Sequence, residues 1–206
     1  MLKVSWMNDP EWLLFDLGGV LIESTVFENL NRLLAESLDA ASIKRRWLYS
    51  ASVRLFELGE ISAEEFAERF IAEWQLDLSE TAFLMEFASW PRAFFPGAKQ
   101  TLRELRKNHR LACLSNSNPL HWGRFGDFDA DFDVALFSHQ LGVIKPDPEA
   151  FVLALDKCGV EPAAVYFYDD CAANVDTALS LGIKGFQVDG FESLQQLLRS
   201  QGLYPA

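Results

Sequence analysis

The sequence predicts an α/β protein: a doubly wound, mainly parallel sheet with a small helical subdomain inserted after the first strand. Three observations predict it. Short, continuously apolar runs recur and each ends at a polar residue; helical stretches precede the later runs; residues 24–90 carry helical periodicity with no strand pattern. An apolar run without alternation suits a strand covered on both faces. Strands that alternate with helices require crossovers, and hence parallel neighbours.

The first run, Trp12-Leu13-Leu14-Phe15, stops at Asp16 and meets Gly18-Gly19. The insertion follows. Val26, Phe27, Leu30, Leu33 and Leu34 fall at helical spacing, and Ile43, Trp47, Ala51 and Leu55 form a second stripe. Ser62-Ala63-Glu64-Glu65 is a capping box that opens a third helix, with Phe66, Phe70, Ile71 and Trp74 on its apolar face. A fourth runs over 79–87, and Pro91 and Pro96-Gly97 mark the return. Residues 1–23 and 91–206 are therefore expected to form the core domain, and 24–90 a helical cap whose aromatics are mostly its own core. In the second half, a helix over 98–107 leads into Leu111-Ala112-Cys113-Leu114. A helix over 148–158 leads into Val165-Tyr166-Phe167-Tyr168. A helix over 174–181, stopped by Gly182, leads into the weaker strand 185–188.

Charge narrows the function classes. Eighteen basic residues against thirty acidic ones give a net charge of −12, which repels nucleic-acid backbones and anionic membranes. Half of the residues are apolar, so disorder is excluded. No window approaches the ~20 apolar residues of a membrane span. Cys113, Cys158 and Cys171 lack CxxC spacing and read as reduced thiols. Asp9, Glu11 and Asp16 interrupt any leader-like stretch, so a cytoplasmic protein is expected. Nothing in the sequence sets the oligomeric state. An anionic substrate would need a local cation working against the global field.

Ligands of an open parallel sheet bind beyond the carboxyl ends of its strands. Those ends carry Asp16, Ser115-Asn116 and Asp169-Asp170, and Lys145 lies in a Lys-Pro-Asp-Pro loop before a helix. Singly, each has an ordinary explanation: a helix cap, a turn, a solvated amine. Together, and in this order, they carry more. Phe15-Asp16-Leu17-Gly18-Gly19-Val20-Leu21, Leu114-Ser115-Asn116, Lys145-Pro146-Asp147-Pro148 and Phe167-Tyr168-Asp169-Asp170 resemble the four motifs of the haloacid dehalogenase superfamily. The helical insertion resembles that superfamily's α-helical cap. With Gly59-Glu60-Ile61-Ser62 and Ser115-Asn116-Ser117-Asn118, the wording is most similar to the subgroup of bacterial α-D-glucose-1-phosphate phosphatase and the N-terminal phosphatase domain of epoxide hydrolases.

The resemblance implies a Rossmann-like core and Mg²⁺-dependent hydrolysis of a small phosphomonoester, with a sugar phosphate the best expectation. Asp16 would be the nucleophile, forming an aspartyl phosphate. Mg²⁺ would be held by Asp16, the Gly18 carbonyl and Asp170, with Asp169 beside it, a set of hard oxygen ligands. Lys145 would neutralise Asp16 and the phosphoryl group. Ser115, Asn116 and the backbone at Gly19 would bind phosphoryl oxygens. Asn174 and Asp176 would orient the metal shell or Lys145.

One departure stands out. Phosphatases of this superfamily usually carry a second Asp two residues after the nucleophile; here that residue is Gly18, a feature the glucose-1-phosphate phosphatase subgroup shares. General acid–base catalysis is worth about 10²–10⁴-fold, so a substitute is expected: Glu23, His121 or a metal-ordered water. Two rival readings share the motifs. A 2-haloacid dehalogenase uses the same nucleophile without metal, against which the Asp169-Asp170 pair speaks. A non-catalytic binding or regulatory domain need not keep Asp16, Lys145 and Asp170 together.

Overall fold

A computed structural model describes residues 10–123 and 128–205; the segment 1–9, with Asp9, lies outside the described residues. Strand β1 (Trp12–Phe15) is followed by β2 (Ile22–Ser24). Five helices come next: α1 (Val26–Leu33), α2 (Ala40–Leu48), α3 (Ala51–Glu57), α4 (Ala63–Trp74) and α5 (Glu80–Phe87). The chain returns through β3 (Pro91–Phe94), α6 (Ala98–Leu105), β4 (Arg110–Ser115), α7 (Pro119–Trp122), β5 (Val134–Phe137) and α8 (Ser138–Leu141). It ends with α9 (Pro148–Cys158), β6 (Val165–Asp169), α10 (Ala172–Ser180), β7 (Lys184–Gln187) and α11 (Gly190–Ser200).

The main sheet runs β5-β4-β1-β6-β7 and every neighbouring pair in it is parallel. Strand β1 is central: Leu13 lies opposite Leu111 on one side and Tyr166 on the other. The period-two alternation of a strand divides its side chains between two cores. Leu13 and Phe15 join Cys113, Tyr168 and the inward faces of α6 and α11. Trp12 and Leu14 join Ala112, Phe167, Phe151 of α9 and Ala178 of α10. Helices on both faces explain why the strands read as unbroken apolar runs, and the doubly wound fold is as expected.

The helical insertion has a core of its own, built from aromatics. Phe56 stacks on Phe66 with ring centroids 4.3 Å apart, and Phe66, Phe70, Phe83, Phe87, Trp74 and Trp90 extend the cluster. Aromatic pairs add about 0.5–1.5 kcal/mol each beyond the area they bury, which lets a small helical layer hold its shape.

Three features differ from expectation. The stripe from Ile43 to Leu55 is two helices: α2 stops at Leu48, and the Ser50 hydroxyl accepts the Val53 N–H to start α3. The junction between insertion and core is a two-stranded antiparallel ribbon, β2 with β3. Strand β5, at the sheet edge, and helix α11 had no expectation attached. His109 is half-buried, with Nδ1 2.9 Å from the Pro10 carbonyl. The Ser62 hydroxyl does cap α4 by accepting the Glu65 N–H, but the Glu65 carboxylate accepts from Arg69 one turn on. No helix among the described residues is long and apolar enough to cross a membrane.

Candidate active site

Parallel pairing of β4, β1 and β6 brings their carboxyl ends side by side, so Ser115, Asp16 and Asp169 become neighbours although they are far apart in sequence. The Asp16 N–H donates to the Tyr168 carbonyl at 2.9 Å, which carries the ladder one residue past β1. The Leu17 carbonyl then accepts from Leu21 and Ile22, closing a tight turn around Gly18-Gly19. Gly19 has φ +79°, and a Cβ there would lie 3.3 Å from Asp170 Oδ2. Any other residue at 19 would be strained there and would press on Asp170. Gly18 is different: its φ is ordinary, and a Cβ built on it meets nothing within 4 Å.

Lys145 is the centre of the site. It is 2% exposed, and its ammonium donates to Asp16 Oδ1 at 2.8 Å and Asp169 Oδ2 at 2.6 Å. Asn116 positions it: Nδ2 donates to the Lys145 carbonyl and Oδ1 accepts the Lys145 N–H, both at 2.9 Å. The Asn116 side chain is thus committed to the Lys145 main chain. Ser115 is buried at the end of β4, and its hydroxyl is 3.3 Å from the Asn116 carbonyl. Asp169 is fully buried and saturated: Oδ1 accepts the Cys171 N–H at 2.8 Å, and Asn174 Nδ2 reaches both oxygens at 3.0 Å. Asn174 therefore orients Asp169, and through it Lys145; Asp176 is exposed on α10.

Burial works against the Lys145 charge, but Asp16 and Asp169 outweigh it and hold the ammonium above its ordinary range. Burial pushes the Asp16 carboxyl upward; Lys145 offsets part of this, while Asp169 and Asp170 add to it. Such a carboxylate gains from more positive charge, and the site is built to accept it. Carboxylate oxygens of Asp16, Asp169 and Asp170 lie within 4.8 Å of one another, a spacing that fits one divalent cation. Asn174 Oδ1 is buried without a partner among the described residues, an acceptor that a metal-bound water would satisfy. Because Asp169 is saturated, Asp16 Oδ2 and Asp170 Oδ1 are the carboxylate oxygens that no side chain among the described residues holds. All-oxygen ligands of this kind suit Mg²⁺.

A family model described as haloacid dehalogenase-like hydrolase matches residues 11–182. The chain belongs to this family. It is 26% identical over 204 residues to D-ribitol-5-phosphate phosphatase of Bacteroides thetaiotaomicron, covering 90% of this chain and 95% of that one. It is 31% identical over 189 residues to a phosphorylated carbohydrates phosphatase of Thermotoga maritima, covering 84% and 82%. The mouse acyl-CoA dehydrogenase family member 10 is 30% identical over 190 residues, but the chain spans only 18% of its length. Among solved structures, a Bacteroides thetaiotaomicron family enzyme in complex with magnesium and inorganic phosphate superposes with a TM-score of 0.72 at 24% identity. That match covers 92% of this chain and 100% of the other.

In this hydrolase the helical layer also reaches the site. Lys44 of α2 pairs with Asp170 Oδ2 at 3.0 Å. Arg54 of α3 is paired with Asp147, two residues past Lys145. A Cβ at Gly59 would sit 2.5 Å from the His139 carbonyl, so the end of α3 presses directly on α8. Glu57, the last residue of α3, is 8% exposed and lies in the field of both Lys145 and Asp16. The two side chains expected to replace the missing acid are committed elsewhere. Glu23 pairs with Arg92 across the β2–β3 ribbon at 2.8 Å. His121 has Nε2 2.8 Å from the Phe87 carbonyl, Nδ1 3.0 Å from the Asn118 amide, and its ring stacked on Phe87 at 4.3 Å. Lys44 and Glu57 escaped the sequence reading. Lys44 gave no signal. Glu57 did: an acidic residue next to Phe56 in an apolar helix, two residues before Gly59-Glu60-Ile61-Ser62.

Proposed function

We propose that this haloacid dehalogenase-like hydrolase is a Mg²⁺-dependent phosphomonoesterase of small sugar or polyol phosphates, working through an aspartyl phosphate on Asp16. One observation carries the reading: a buried lysine held between Asp16 and Asp169, beside the third carboxylate, Asp170. A dehalogenase has no use for that third carboxylate. The two carbohydrate- and polyol-phosphate phosphatases among the relatives support the substrate class.

Asp16 Oδ2 is left open by the Lys145 bond to Oδ1 and is the oxygen that attacks phosphorus. Lys145 neutralises Asp16 and the incoming phosphoryl oxygens, so the two anions can approach. Mg²⁺, held by Asp16, Asp170 and the Gly18 carbonyl with Asp169 alongside, would polarise the phosphoryl group and offset its charge. The Ser115 hydroxyl binds a phosphoryl oxygen; the Gly19 N–H, expected beside it, already donates to the Ile22 carbonyl at 2.8 Å. Residues 24–90 act as the cap that excludes water from the closed cleft. Three free thiols support a reducing, cytoplasmic setting.

The test is phosphate release from a panel of sugar, polyol and aryl phosphates, with and without Mg²⁺, by the wild type and Asp16→Asn. Turnover that needs both the metal and Asp16 supports the reading. Chloride release from a 2-chloroacid in the presence of a chelator, without phosphatase activity, overturns it.

A further inference from the structure

We propose that Glu57, a cap residue, is the general acid and base of this enzyme, taking the place of the carboxylate absent at Gly18. The inference rests on the phosphatase reading above and adds the group that moves the proton.

The position is fixed from three sides. Arg54, one turn before Glu57 on α3, is clamped to Asp147 in the Lys145 loop. Gly59, just after it, abuts the His139 carbonyl so closely that no side chain fits between them. Lys44 ties the neighbouring α2 to Asp170. These contacts seat the C-terminal end of α3 against the core edge that carries Asp16 and Lys145. Glu57 is more than nine-tenths buried there, and among the described residues its carboxyl has no hydrogen-bond or ion-pair partner. The carboxyl oxygens are not sealed from solvent, so the residue is buried while its acid group stays reachable and uncommitted. The glycine at 18 leaves open space where the usual acid would project.

The charged groups around Glu57 leave it in the acid form. Lys145 is held by Asp16 and Asp169, Arg54 by Asp147, Lys44 by Asp170, Arg46 of α2 by the Glu73 carbonyl, and Glu73 of α4 by Ser52; His139 of α8 is bonded to Ser117. Burial pushes the Glu57 carboxyl up to about 8; Lys145 draws it down in part and Asp16 raises it further. A carboxylic acid that keeps its proton near neutral pH can donate it.

The proton balance is as follows. Asp16 attacks phosphorus, the bond from phosphorus to the leaving oxygen breaks, and that oxygen keeps the electron pair and takes the Glu57 proton. Alcohol leaves, and Glu57 is a carboxylate. Water then attacks the phosphorus of the aspartyl phosphate and gives a proton to Glu57. The bond from phosphorus to Asp16 breaks, the pair returns to the Asp16 carboxylate, and inorganic phosphate departs with the acid restored.

The experiment compares wild type, Glu57→Gln and Gly18→Asp/Glu57→Gln on alkyl and aryl phosphates spanning a range of leaving-group basicity, with Mg²⁺. Wild type should show a shallow dependence on leaving-group pKa and an alkaline limb in kcat/KM. Glu57→Gln should lose about 10²–10⁴-fold on alkyl esters, a loss that shrinks as the leaving group becomes less basic, and the alkaline limb should vanish. The Asp restored at 18 should recover the alkyl-ester rate. A uniform loss on all esters, or no loss, overturns the role of Glu57. Unfolding of the Glu57→Gln protein is checked by circular dichroism; should it unfold, an alkaline limb in the wild type together with a steep leaving-group dependence would overturn the proposal, and the limb with a shallow dependence would uphold it. No phosphate release by the wild type from any ester overturns the phosphatase reading itself, and this inference with it.

Discussion

Glu57→Gln should make the folded protein more stable at neutral and mildly alkaline pH, although it removes a group proposed to do chemistry. The carboxyl lies at about 8 in the fold against 4.5 ordinarily, raised chiefly by burial. Between these values the native state binds a proton that the unfolded chain has released. Stability from this group is therefore complete below about pH 4.5 and is lost as pH rises toward about 8. Each pH unit inside that window costs about 1.4 kcal/mol, so the full loss by about pH 8 is on the order of 4 kcal/mol. Gln keeps the volume and stays neutral, so its contribution does not change with pH. Urea unfolding of both proteins between about pH 4 and about pH 8 gives the comparison. The difference in unfolding free energy should level off below about pH 4.5 and, as pH rises above it, move in favour of Glu57→Gln by a few kcal/mol. Any fixed cost of the amide is a constant offset and leaves the slope untouched. Parallel profiles across the window would show that Glu57 ionises as an ordinary surface carboxylate, and the reasoning would fail.

Other outcomes follow from the same geometry. Lys145→Ala strands Asp16 and Asp169 in a buried site without their cation, and should cost about 3–5 kcal/mol in chemical denaturation as well as nearly all turnover. Gly19→Ala forces an L residue to φ +79° and brings a methyl to 3.3 Å from Asp170 Oδ2. It should cost about 1–2 kcal/mol of stability and weaken Mg²⁺ binding measured by calorimetry. Lys44 is half exposed and competes with a cation for Asp170. Lys44→Ala should therefore tighten Mg²⁺ binding in the substrate-free protein by up to about five-fold, the scale of an exposed ion pair; unchanged or weaker binding would count against Asp170 as a ligand.

The parts of the molecule set by local pattern were the readable ones. Strands β1, β4 and β6 are unbroken apolar runs because helices cover both faces of the sheet, so their ends, and with them Asp16, Ser115 and Asp169, could be located in advance. The break between α2 and α3 was missed because the apolar spacing from Ile43 to Leu55 runs through it; only the Ser50 cap marks the change of axis. The reciprocal bonds of the Asn116 side chain to the Lys145 main chain depend on a loop 29 residues away and leave no local mark in the sequence. Glu57 and Lys44 reach the site only through the docking of the helical layer on the core. Such long-range placement leaves no periodic trace in the chain.

The central claim is that Asp16 itself carries the phosphoryl group, and trapping it is the direct measurement. The enzyme is mixed with Mg²⁺ and an aryl phosphate, quenched in acid within milliseconds, reduced with borohydride and digested for mass spectrometry. An aspartyl phosphate is reduced to homoserine, and the account predicts that residue at position 16 alone, in wild type and in larger yield in Glu57→Gln, where the second step is slowed. Steady phosphate release with Asp16 unmodified at every time point, or homoserine at any other position, would contradict it.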